Sequence, residues 1–197
     1  MGTDVIDTLI GLTPGSALDV IRHRRPQARE QAQASYRALF APEDTGGISL
    51  TERFAVAAFV AGLHGNAETA AFYVARLTDS GAPAVLHKAI DAAIKDAKGE
   101  GPYGAYPAGP LSREDTSGPT YHVALETRRA LETRLAAAFD HMHLLVFHPR
   151  DAAAPGLQVL LDAGWSTTEI VTLSQIAAFL SFQIRVVAGL RTLAGAL

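Results

Sequence analysis

The chain contains no cysteine. Disulfides, thiolate metal sites and thiol catalysis are therefore excluded together. Aromatic residues make up only 7% of it, and β-branched clusters are few, so helices are favoured over sheet. Positive charge is not in excess: a formal net charge of −3 gives no electrostatic case for nucleic acid. The single basic cluster, RHRRP at Arg22–Pro26, reads as a solvated helix end, with anion contact the lesser alternative. Long hydrophobic runs are missing too. The longest, Phe54–Leu63, is too short to span a bilayer. Asp4 and Asp7 stand where a secretory signal would carry positive charge, and Ile6 stands where a myristoylation pattern needs Ser or Thr. The expectation is a soluble, cytoplasmic protein with no membrane or nucleic-acid partner.

What is present is helix grammar. At 197 residues, close to half of them apolar, the chain suits one compact domain with a sizeable core. Ser49-Leu-Thr-Glu52 is a capping box, in which the Ser hydroxyl accepts from the third amide and the Glu reaches back to the first. Behind it Phe54, Ala57, Ala58, Ala61 and Leu63 fall at spacings of three and four. Gly65 closes that helix, another runs from Glu68 to Leu77, and a third follows over about Ala84–Lys98. Ser166-Thr-Thr-Glu169 is a second capping box, opening a long helix that is apolar almost all round and so suited to burial or a subunit interface. Further helices are expected over Pro26–Phe40 and along HVALETRRALETRLAAAFDHMHLLVFHPR. There Leu131, Leu135, Ala138, Met142 and Leu145 form a buried stripe, and Glu126, Arg129, Thr133, Asp140 and His143 form the wet side. The fold class is all-α, with roughly eight helices.

The organisation divides into an N-terminal helical extension (1–47), a first repeat (48–98), a Gly/Pro loop (99–121) and a second, diverged repeat (122–197). The loop holds a literal GxGxxG at Gly99, Gly101 and Gly104, but it follows a helix rather than a strand, so the dinucleotide reading fails. A loop of this length reads as a surface segment or as a lid, with Tyr103 and Tyr106 its most useful side chains.

The segment SLTERFAVAAFVAGLHGNAETAAFYVARL (Ser49–Leu77) resembles the core helix pair of the AhpD-like and carboxymuconolactone decarboxylase (CMD) superfamily. LLDAGWSTTEIVTLSQIAAFLSFQIRVVAGL (Leu160–Leu190) resembles the Leu-x-x-x-Gly-x-Ser-x-x-Glu-Ile helix of its peroxidase-related members. The block from Pro14 to Gly47 is similar to a subfamily known simply as CMD domain proteins. The resemblance implies an AhpD-like helical bundle and a homo-oligomer, whether dimer, trimer or hexamer. A cysteine-bearing relative is a candidate partner for a chain whose own relay is replaced.

The chemistry of that family carries over residue by residue, and it carries over badly. Where the AhpD-like branch has Cys-x-x-Cys, this chain has Asn66 and Thr69. The His places fall at Phe72 and Tyr73, and the upstream Glu falls at Phe54. Asn and Thr cannot supply a nucleophile that peroxide oxidises reversibly. In the decarboxylase branch Glu68 matches a family Glu, but its His falls on Phe72. The cations that a dianionic lactone would need are Arg53 and Arg76, which read as surface residues.

The resemblance therefore implies a non-peroxidatic structural or regulatory member without a cofactor. The alternative is a non-redox enzyme or small-molecule binder. Its tentative acid/base pair is His64 and Glu68, with Asn66, Thr69, Tyr73, Tyr103 and Tyr106 as ligand contacts. Each of these also has a plain structural role: Asn66, the only Asn in the chain, suits an N-cap, and Tyr73 suits a core position. His141, His143 and His148 do not have the spacing to share one metal ion and read as surface histidines, so no metal site is assigned.

Overall fold

The computed structural model describes residues 4–197. Among them there are nine α-helices, no strand, and one isolated bridge between Gly104 and Thr116. The helices are α1 (Val5–Ile10), α2 (Ala17–His23), α3 (Pro26–Phe40), α4 (Leu50–Leu63), α5 (Ala67–Asp79), α6 (Ala84–Asp96), α7 (Leu125–Phe147), α8 (Ala154–Asp162) and α9 (Thr167–Ala194). The all-α expectation holds. The two short N-terminal helices are additional, each capped by an acidic or hydroxyl side chain, Asp4 and Ser16.

The core is organised on α4 and α9. From Arg53 to Ala61 every residue of α4 is buried, so this helix is enclosed on all sides by α5, α6, α7 and α9. That is why a single apolar face understates it: small alanines let four neighbours approach the same helix. Phe59 of α4 stacks on Phe139 of α7, with ring centroids 4.2 Å apart and 6° between planes. By length and composition α9 could cross a membrane, yet half of its most apolar window is buried inside the bundle, against α1, α3, α4, α7 and α8.

Both capping boxes form, Ser49 with Glu52 and Ser166 with Glu169. They are joined by a residue that neither motif contains. Arg134 of α7 donates to Glu52 (2.8 Å) and Glu169 (3.2 Å), and to the carbonyls of Gly47 (2.7 Å) and Gly164 (2.6 Å). Its guanidinium lies 3.7 Å over the Trp165 ring, while the Trp165 indole donates to the Arg134 carbonyl at 2.8 Å. α7 is broken just before this clamp, at Glu132 (φ 61°, ψ 171°), a conformation that costs a non-glycine residue about 1–3 kcal/mol.

One expectation about charge is corrected. Arg53 is not a surface cation: it is buried and donates to three backbone carbonyls, of Ile48, Leu39 and Thr45, at 2.8–3.1 Å. It ties the 39–48 segment onto α4, and its burial there sets it apart from a surface cation open to a dianion. In the Arg22–Pro26 cluster, Arg24, Arg25 and Pro26 are exposed at the helix end, and Arg22 is the arginine that is paired. Arg22 bonds Asp7 (2.9 Å) and Asp4 (3.2 Å), and Arg29 also pairs with Asp7. These pairs of Arg22 and Arg29 with Asp4 and Asp7 pin α1 to α2 and α3.

Candidate functional site

The junction of α4 and α5 holds Asn66 and Thr69, the positions that the resemblance sets against a redox pair. α4 ends at His64, Gly65 takes the left-handed turn (φ 67°), and Asn66 caps α5 by accepting from the Thr69 amide at 2.9 Å. A side-chain oxygen at this position satisfies one of the free amides of the helix start. Thr69 is fully buried.

His64 and Glu68 are engaged separately. The His64 Nε2 lies 3.1 Å from the Ser181 hydroxyl of α9. Burial, reinforced by the nearby Arg185 charge, holds the His64 pKa below the usual histidine value, so the ring is neutral at pH 7. Glu68 is exposed and forms an ion pair with Arg191, further along α9. Both side chains fasten the α4–α5 corner to α9.

The positions that would carry the relay are filled by aromatic rings. Phe40, from the end of α3, stacks on Phe54 at 5.5 Å and meets Tyr73 at 5.1 Å. Phe72 meets Tyr73 edge-on at 5.1 Å and Tyr36 at 6.4 Å. Phe179 of α9 closes on Phe40 at 6.3 Å. The N-terminal extension therefore supplies a plug, Tyr36 and Phe40, for the joint of the central helices.

The Tyr73 hydroxyl is fully buried and donates to Gln183 Oε1 at 2.8 Å. Burial raises its pKa well above the usual phenol value, so it is a fixed donor. Removing it by Tyr73→Phe orphans the Gln183 amide oxygen, whose Nε2 is already without a partner. The expected cost is about 1–2 kcal/mol in urea unfolding, with secondary structure unchanged.

Tyr103 and Tyr106 are not over this joint. Residues 97–124 fold back along the end of α7, where Tyr103 packs 5.1 Å from His148 and Tyr106 lies under Arg150 at 4.2 Å. The GxGxxG glycines serve this close approach. Gly101 has φ 25°, and a Cβ there would sit 3.1 Å from the Phe147 backbone.

This loop also corrects the histidine assignment. His141, His143 and His148 are buried, because the loop lays Tyr121 on the face of α7 that the helical pattern reads as wet. Tyr121 and His143 rings are 4.7 Å apart. His148 sits between the Asp151 carboxylate and the Pro119 carbonyl, each 2.9 Å from a ring nitrogen. Asp140, another residue of the supposed wet face, accepts from Arg128 at 2.6 Å and from the Val123 amide at 2.7 Å. Local periodicity could not reveal any of this, since the covering residues lie beyond the helix. The usable signal was three histidines and an aspartate within one helix end, beside a long Tyr-containing loop. Among the described residues no group of His, Asp and Glu is placed to hold a metal ion.

The fold and joint define an all-α bundle in which two central capped helices are clamped by one arginine and the helix corner is sealed by aromatic rings. Comparison with protein-family models, curated proteins and solved structures finds no match to this chain.

Proposed function

We propose that the chain is a cysteine-less, non-peroxidatic relative of the AhpD-like and CMD proteins, acting as a structural or regulatory subunit. The observation that carries this reading is the aromatic seal: Phe54, Phe72 and Tyr73 stand at the relay positions and pack with Phe40 into the core. A peroxidatic relay needs a thiolate, a base and access for peroxide, and none of those side chains provides them. Acid/base chemistry at the same corner, the alternative, is disfavoured by the separate engagement of His64 with Ser181 and of Glu68 with Arg191.

Assembly is supported by apolar side chains left exposed on the last two helices, Leu157 and Val159 on α8 and Val171 and Phe182 on α9. Such residues suit an interface between copies or with a cysteine-bearing relative. Native mass spectrometry at micromolar protein is expected to show a symmetric homo-oligomer. A monomer at that concentration, or thiol-dependent turnover of cumene hydroperoxide by metal-free protein, would overturn the reading.

A further inference from the structure

The loop between α6 and α7 leaves and returns past one histidine. On the outgoing limb the Ala105 amide donates to Asp151 Oδ1 at 3.2 Å, and on the return limb the Pro119 carbonyl lies 2.9 Å from His148 Nε2. The other ring nitrogen, Nδ1, lies 2.9 Å from Asp151 Oδ2. The limbs are joined to each other by the Gly104–Thr116 bridge, and the Tyr103 ring packs 5.1 Å from the His148 ring. His148 and Asp151 together hold both limbs against the end of α7.

Both partners of the His148 ring only accept. A peptide carbonyl has no proton to give, and Asp151 is ionised, because hydrogen bonds from His148 and the Ala105 amide hold its carboxyl below the usual range. A neutral imidazole carries one N–H and serves one of these oxygens. Its other nitrogen would then turn a lone pair toward the second oxygen at 2.9 Å, which is repulsive. Only a ring with a proton on each nitrogen satisfies the geometry. When one proton leaves for solvent, the bond to the carboxylate is the stronger and is kept, so the bond lost is the one to Pro119.

The other charged and titratable groups around His148 do not duplicate this role. Arg150, on the same turn, lies over Tyr106. The His143 ring of α7 is 6.3 Å away, and burial, followed by the His148 charge, lowers its pKa to about 4, so it is neutral from weakly acidic pH upward. Asp140 of α7 is paired with Arg128 at 2.6 Å and stands 3.5 Å from the exposed His122. On the loop, Asp115 accepts from the Tyr106 amide at 2.7 Å, and burial raises the Tyr121 phenol to about 12. From α8 only Gly156 and Val159 border the adjoining cleft.

We propose that the return limb, residues 117–121, is a proton-linked strap: it is docked on α7 while the His148 ring carries both protons, and it lifts when the ring loses one. Docked, the strap lays Tyr121 on His143 at 4.7 Å and forms one wall of a cleft of about 230 Å³ between α7 and α8. Lifted, it uncovers that cleft. The docked state binds one proton more than the lifted state, so docking is favoured at low pH and weakens as pH rises. None of these residues belongs to the α4–α5 joint, so the strap stands or falls separately from the subunit reading.

The test uses the full chain with one spin label at Thr120→Cys, an exposed position in a chain without native cysteine, together with histidine 15N spectra of the wild type. Between about pH 6 and about pH 9, a range that histidine charge changes reach, the ratio of mobile to immobile label is expected to rise. Its steepest slope should approach about tenfold per pH unit, as release of a single proton requires. The midpoint should coincide with loss of one 15N–H at His148, and below it both His148 ring nitrogens should be protonated. His148→Gln removes the titrating group and should leave label mobility flat with pH. The nitrogen spectra need no variant and decide the protonation state directly. Label mobility that is flat over this range, a His148 ring with one bare nitrogen while the label is immobile, or an unchanged pH dependence in His148→Gln would overturn the proposal.

Discussion

Replacing Arg134 by alanine is expected to lower the unfolding free energy by about 3 kcal/mol. For a chain of this length that corresponds to a fall in Tm of about 6–12 °C. The effect is large because one side chain serves two capping boxes. Without it, the Glu52 and Glu169 carboxylates, only 20% and 13% exposed, lose their counter-charge. The Gly47 and Gly164 carbonyls lose a donor, and the Trp165 ring loses its cation. Arg134→Lys should recover only part of the loss, since an ammonium cannot reproduce the planar fork that reaches four acceptors.

The same clamp sets an acid limit. Burial works to raise the Glu169 pKa, but hydrogen bonds from Ser166 and Arg134 outweigh it and hold the carboxyl below its usual 4.5. A carboxyl depressed in the folded state stabilises the fold above its unfolded pKa, and that contribution is lost as pH falls through the folded value. Urea unfolding of the wild type should therefore weaken as pH drops below 4.5, and Arg134→Ala should show a shallower dependence there. An Arg134→Ala variant with wild-type stability at pH 7 would contradict the clamp.

Phe54→Glu is expected to be worse, costing about 4 kcal/mol or more. It installs the carboxylate that the family relay carries at this position, but places it against Phe40 in a site only 7% exposed. The cation at this cluster, the half-exposed Arg76, stands over Phe72 at 5.2 Å rather than over Phe54. Against a typical stability of about 5–15 kcal/mol, the variant should be largely unfolded at modest urea concentrations. Phe54→Leu, which keeps most of the volume, should cost about 1.5 kcal/mol or less. The contrast separates loss of ring packing from burial of charge. If Phe54→Glu melts within a few degrees of wild type, the site has room and water, and the aromatic seal is wrong.

Much of this fold is legible from the sequence where the determinants are local. α3 spans Pro26–Phe40 as its pattern predicts, both capping boxes form, and Asn66 caps α5. Each depends on residues within one helical turn, for which spacing is sufficient information.

The features that escape are those decided across the chain. Arg134 reaches Glu52 over 82 positions and Glu169 over 35, and nothing near Arg134 in sequence announces either bond. Arg53 looks like a surface cation because its three acceptors belong to the 39–48 segment that wraps it. The histidines of α7 look wet because their cover, Tyr121, enters from the Gly/Pro loop. At the α4–α5 joint the residues that the proposed kinship sets at relay positions are visible in the sequence. The plug is not, because Tyr36 and Phe40 come from an extension whose position only the fold supplies.

The absence of native cysteine gives the joint a direct probe. Thr69→Cys places a single thiol at the second relay position, where the native side chain is fully buried, and a thiol reagent can then report access without background. Labelling by Ellman's reagent in the folded variant should be about a hundredfold or more slower than in the same variant unfolded, because reaction must await local opening of the joint. Labelling within about threefold of the unfolded rate would show an open pocket at the relay position and would contradict the sealed, non-peroxidatic joint.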